Sequence, residues 1–304
     1  LTVSADIKTL ATVQQKSSQN LYFLPGQGQN SEVKPFAPEG IKVGNFNWTR
    51  DGNLLVSDGA RLVRMSPDGT NQTQLLADPS GGIFDPASCG SDHLVFAWAF
   101  HGGSNSVRLW HSGADGSNPV EVTKGRVDQR PICSPDEKTL YYLNVTSNNP
   151  VSSVKLDGSG KEATVSGSVV PDAFVLSNNI VLSTDGKTLV YVVEVVNAAT
   201  QNGHEKIALL DLGSSAPRLL EADQRIAPGG IQFTPDGKGV AYPIREKGVD
   251  NIWIQPLDGG PGHQITNFTS DQISLFHWSP DGKTLGILRG HSESDVVLLQ
   301  ENKP

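Results

Sequence analysis

Residues 278–284 read WSPDGKT and run directly into LGILRGHSES at 285–294. Alone, the stretch carries two chemical signatures: GKT resembles the end of a phosphate-binding loop, and GHSES approximates the G-x-S-x-G turn of serine hydrolases. Its copies elsewhere in the chain decide between chemistry and architecture. Related stretches begin at Val3 (VSADIKT), Trp48 (WTRDGNL), Cys133 (CSPDEKT), Leu182 (LSTDGKT) and Phe233 (FTPDGKG), with a shortened one at Cys89 (CGSDHL). With Trp278 they make seven units, 41 to 51 residues apart. A fixed period of that length marks a repeat architecture.

Each unit has the same internal plan. An apolar-alternating run reaches the leading Trp, Phe, Leu or Cys, a tight turn follows, and a second strand pattern comes next, as in TLYYLNV or TLGILR. Proline presets φ in that turn, aspartate bonds its own backbone, and glycine accepts positive φ. A third pattern (RLVRM, SSVKL, NIWIQPL) and, in most units, a shorter polar fourth strand complete the plan. Four antiparallel strands per period without helical periodicity describe radially repeated sheets. The expectation is an all-β, seven-bladed β-propeller of four-stranded blades filling one domain, residues 1–304, with approximate blades 1–36, 37–78, 79–123, 124–166, 167–222, 223–268 and 269–304. Unit seven ends after DVVLLQENKP, so its blade is expected to be three-stranded, with Lys303 and Pro304 outside a fourth strand.

Composition narrows the function classes. Of 304 residues, 32 are Gly and 19 Pro, in keeping with turn-rich β structure. The net charge of −8 and the lack of a basic stripe argue against a nucleic-acid partner. No run of 18 apolar residues is present, so no membrane insertion by this chain is expected, and the opening at Leu1 reads as a mature or excised piece.

The units resemble the WD-like propeller repeat of the TolB-type periplasmic proteins. LTVSADIKTLATVQ, CGSDHLVFAW, RPICSPDEKTLYYLN, NIWIQPLDGGPGHQITNF and FHWSPDGKTLGILRGHSESDVVLL are similar to the C-terminal propellers of acidobacterial-type bacterial serine/threonine protein kinases. That resemblance implies a sensor or docking module on the periplasmic or extracytoplasmic side, with a kinase domain and a membrane span upstream. VAIK, HRD and DFG are absent here, so this chain would be the non-catalytic part. Ile7 and Glu137 depart from the repeat where a turn glycine is expected.

The chemical signatures weaken in context. A phosphate loop needs a glycine five residues before GK and a helix after it; Val181 and His277 occupy those positions and strand patterns follow. GHSES ends on Ser294 and leads into DVVLL, so Ser292 reads as a residue of the hairpin between second and third strands. The seven histidines show no HxH, HxxxH or HExxH spacing, and no metal or cofactor is expected; His277, the best single metal candidate, reads first as a histidine hydrogen-bonded between blades. Cys89 and Cys133 take equivalent positions in successive units and are expected to be free thiols, because packed sheets lie about 10 Å apart. Asn47, Asn71, Asn144 and Asn267 head sequons that read as accidents of composition.

Candidate binding residues lie where loops enter the inner strands around one mouth of the channel. They are Asn45, Asp85, Asp128, Arg130, Asp172, Arg225 and Asp271. Such a ring could accept a small polar ligand, a cation, a peptide end or a protein; it also fits a solvated rim, the preferred reading. No catalytic constellation emerges, so a non-enzymatic recognition module is expected. A lyase or hydrolase with channel-mouth residues, or a free-standing TolB-like envelope protein, stands as the alternative.

Overall fold

The turn chemistry read from the sequence has one recurring atomic form. In a computed structural model describing residues 2–3, 9–28, 34–148, 150–157, 159–196 and 203–300, a Ser or Thr hydroxyl donates to the aspartate two residues on and accepts a backbone N–H near the turn's end. Ser134 bonds Asp136 (2.5 Å) and accepts Thr139 N (2.9 Å); Ser183, Thr234 and Ser279 repeat the pattern with Asp185, Asp236 and Asp281. The hydroxyl is the largest cause holding each of these carboxyls below its ordinary range. Gly186 and Gly282 take φ of 71° and 70°. Glu137, in place of a glycine, still takes φ 61°.

Turns at this position join the two inner strands of each of six four-stranded antiparallel sheets among the described residues. From the axis outward, the first blade comprises Asn45–Trp48, Leu54–Ser57, Arg61–Met65 and Thr73–Ala77. The second comprises Gly82–Cys89, His93–Ala99, Val107–Gly113 and Val120–Glu121. The third runs through Asp128–Cys133, Thr139–Asn144, Val151–Lys155 and Ala163–Thr164. The fourth holds Ala173–Leu182, Thr188–Val196, Gly203–Asp211 and Arg218–Glu221. The fifth holds Gln232–Phe233, Gly239–Glu246, Val249–Pro256 and His263–Gln264.

The sixth blade corrects the expected count of seven. Its inner strands are Gln272–Trp278 and Thr284–Gln300, but its outer strands are Thr9–Pro25 and Thr2–Val3. The first and last sequence units are therefore two parts of one blade, and the last blade is four-stranded. Thr9–Pro25 pairs with Thr284–Gln300 over its whole length, from Thr9 opposite Gln300 to Pro25 opposite Thr284. TLATV (9–13) and NLYFL (20–24), which the repeat plan makes the second and third strands of the first unit, are parts of one strand. GHSES likewise lies inside the partner strand, with Ser292 opposite Ser17, and is not a hairpin. Lys303 and Pro304 lie outside the described residues.

Among the described residues, six apolar clusters sit between successive blades and join them into a ring. Phe46 and Trp48 pack with Leu275 and Leu288 between blades one and six, and Leu24, Ala241 and Phe276 pack between blades five and six. Each fully buried Leu or Phe in these seams contributes roughly 1.5–3 kcal/mol. Tyr142, Tyr191 and Tyr242, on the second strands of blades three to five, are also fully buried. Their hydroxyls stay paired: Tyr142 donates to Glu162 (2.7 Å), Tyr191 donates to Ser168 O (2.7 Å), and Tyr242 accepts Asp223 N (2.9 Å).

Cys89 and Cys133, expected as free thiols, form a disulfide with Cα atoms 5.3 Å apart. The 10 Å spacing applies to sheets stacked face to face. Here the sheets fan outward from an axis, so inner strands of adjacent blades lie closer than the sheets do on average.

Candidate functional site

The inner strands surround a channel with a cavity of about 670 Å³. Their alternation sets its lining. The residue just before the last position of each inner repeat points inward, which brings Asn47, Ser88, Ile132, Val181, Gln232 and His277 to the wall. Bulges between Phe84 and Ala87 and between Gln129 and Ile132 re-aim two more residues. Asp85 and Arg130 occupy those bulges with φ of 50° and 55°, a left-handed conformation that aspartate tolerates better than arginine.

Two polar clusters line the channel. The Asp85 carboxylate accepts Asn45 Nδ2 at 3.0 Å, Arg130 Nη1 at 2.8 Å and Arg130 N at 3.1 Å, uniting blades one, two and three. Across it, Gln232 places its amide nitrogen 3.0 Å from His277 Nδ1, linking blades five and six. Trp48 Nε1 donates to His277 O at 3.3 Å, tying blade six back to blade one. Burial and then the nearby Arg130 charge lower His277 to about 3, so its ring is neutral at physiological pH. The inter-blade hydrogen bond matches the sequence reading of His277.

Three of the seven candidates thus meet in the channel: Asn45, Asp85 and Arg130. The other four do not line its cavity. Asp128 is fully buried toward Gly125 and Thr123, and neither carboxylate oxygen has a partner meeting hydrogen-bond geometry. Burial pushes it up to about 6. Asp172 is exposed where the chain enters blade four. Arg225 is held by Asp223 at 2.9 and 3.0 Å and lies 5.3 Å over the Trp253 ring. Asp271 pairs with Arg289 at 3.3 Å and His291 at 2.8 Å on blade six.

The sequence reading missed Gln232 and Arg50. Gln232 was recoverable from its place one residue before Phe233, equivalent to His277 before Trp278. Arg50 lies in the Trp48 turn and lines the cavity at the turn-side mouth. Among the described residues, no group of three or more His, Cys, Asp or Glu side chains is placed to hold a metal ion.

No family model matches the chain. Over 81 residues it is 36% identical to a tricorn protease homolog of Streptomyces coelicolor, covering 26% of this chain and 7% of that protein. The chain therefore spans less than a tenth of that relative. Among solved structures, a TolB-type protein of Agrobacterium tumefaciens superposes with TM-score 0.66 and 16% identity, over 91% of this chain and 99% of that one. An oligogalacturonate lyase in complex with manganese gives TM-score 0.60 and 14% identity, over 84% and 79%. TolB of Acinetobacter baumannii gives 0.57 and 14%, over 91% and 66%. These likenesses define the architecture as a TolB-like β-propeller.

Proposed function

We propose that this chain is a non-catalytic recognition module that holds a polar partner in its central channel, as the extracytoplasmic C-terminal propeller of a bacterial serine/threonine protein kinase. The observation carrying the recognition role is the convergence of Asn45, Asp85, Arg130, Gln232 and His277, from five blades, on one cavity. The kinase context is supported by the resemblance of the repeat units. The disulfide and the TolB-like fold are in keeping with an oxidising compartment. No helix among the described residues is long and apolar enough to cross a membrane.

A thermal-shift screen of small polar compounds and short peptides tests recognition, because a ligand at 100 times its Kd adds about 2.7 kcal/mol to stability. Compounds that raise Tm are expected to lose their effect in Asn45→Ala and Gln232→Ala variants. Shifts that persist in both variants place recognition elsewhere. The reading frame upstream of Leu1 tests the context: HRD and DFG motifs followed by an apolar span are expected, and their absence overturns the kinase assignment. A second reading, a channel lyase, draws on the arginine, glutamine and histidine sharing one cavity. Stoichiometric metal with turnover of glycoside or lactone substrates would establish it in place of the first.

A further inference from the structure

We infer that the channel selects an anionic group, held by Arg130 and His277 with Arg50 at the mouth. This rests on the reading of the channel as a recognition site and adds the charge of what it binds. The protein's overall charge of −8 would favour cations, so the inference depends on the local balance of donors and acceptors.

Both acidic side chains on the cavity wall already have partners. Asp85 takes its three hydrogen bonds from Asn45 and Arg130, and Asp281 is bonded by Ser279 Oγ at 2.7 Å and Lys283 N at 3.1 Å, with Lys283 Nζ at 3.5 Å. The basic groups are less satisfied. Arg130 uses Nη1 for Asp85, while its Nε is buried without any hydrogen-bond partner. An orphaned guanidinium N–H is costly, and since the Arg130 side chain is a quarter exposed, a small shift of its guanidinium toward an incoming acceptor would pair that N–H. His277 is neutral and accepts Gln232 on Nδ1, so its proton sits on Nε2 as a further donor. Arg50 lines the same cavity and has no ion-pair partner among the described residues.

An oxyanion with at least two acceptor oxygens, a carboxylate or a phosphate, fits this donor set; a metal ion or an ammonium group does not. Asp85 is a positioning residue: its bonds to Arg130 Nη1 and the Arg130 amide fix the guanidinium in the bulge and leave Nε free. The enclosed wall strengthens such contacts relative to open water.

Isothermal titration of the whole chain with citrate, inorganic phosphate, glucose and spermidine, alongside NMR of ¹⁵N-histidine-labelled protein, tests the proposal. The His277 signals are assigned by their loss in His277→Gln. Citrate or phosphate is expected to bind saturably and shift the His277 ring resonances, with affinity falling as salt rises. Arg130→Gln should weaken binding roughly tenfold or more, the size of one lost charged hydrogen bond, and the exposed Arg50→Ala by a few-fold. Should Arg130→Gln fail to fold because Asp85 loses its partner, the charge-neutral pair Asp85→Asn with Arg130→Gln replaces it. Absence of binding by both anions, or anion affinity unchanged in the Arg130 and Arg50 variants, overturns the inference. Glucose or spermidine binding that shifts His277 while the anions do not would overturn the anion inference and leave channel recognition standing. Anion binding that leaves His277 unmoved would place the anion outside the channel and overturn the anion inference.

Discussion

Asp128 shows how far the chemistry of one side chain can be from its place in a motif. RVDQR reads as a loop arriving at a channel mouth, yet its aspartate turns into the seam between blades two and three, fully buried. Burial is the largest cause of its rise from 3.8 to about 6. An acid whose folded pKa lies above its unfolded one keeps its proton longer in the native state. Its cost to stability is therefore absent below about 3.8 and fully present above about 6. Asp128→Asn is expected to stabilise the protein by about 1–3 kcal/mol at pH 7.5, with the gain vanishing near pH 4. Chemical denaturation of both forms across that range checks it, and a pH-independent difference would mean that ionisation is not the cause. Asn45, Asp85 and Arg130 were legible because each lies near the start of an inner strand beside the axis. Asp172, Arg225 and Asp271 satisfy the same sequence rule, but loop geometry carries them away from the cavity, and strand alternation alone does not reveal that.

At the scale of the element, the Ser/Thr-x-Asp turns of blades three to six were legible, whereas the longest strands, one of which absorbs the GHSES hairpin read from sequence, were not. The Ser-x-Asp-Gly turn carries its conformation in its own side chains, so sequence is enough. Thr9–Pro25 and Thr284–Gln300 are defined by each other across the whole length of the chain, and two short apolar patterns in each masked one 17-residue strand. Near the sheet core, Leu21 and Leu24 are buried. Farther out, Val13 and Val296 face each other across the ribbon, 61% and 70% exposed. An isolated two-stranded ribbon is marginal in water. Amide exchange is expected to be slow at Leu21–Leu24 and faster by several orders of magnitude at Thr12–Ser17. Equal protection along the strand would show that the outer ribbon is covered by something else in solution.

For the whole molecule, counting repeats overestimates blades by one because one blade is assembled from both ends. The repeat period established the blade architecture, and only pairing could show that the first unit belongs with the last. The disulfide escaped for a related reason: distances near the axis of a fan are shorter than a sheet spacing suggests. The crosslink joins consecutive blades across a sequence separation of 44. Loop-closure entropy for that length gives a contribution of about 4 kcal/mol. Reduction is expected to lower stability by up to that amount, read from urea midpoints with and without reductant. Alkylation and mass measurement of the unreduced protein should find both cysteines blocked; two alkylated cysteines would refute the crosslink.

The shared sixth blade also dictates an order of events. Thr9 meets Gln300, so Thr9–Pro25 gains its long partner only after the five blades between the two strands have been made. Blades one to five can assemble during synthesis from neighbouring segments, but the ring closes only once Thr284–Gln300 has been made, through contacts of very large sequence separation. Until then both open faces of the arc are exposed, and that interval is when this protein most needs protection from aggregation.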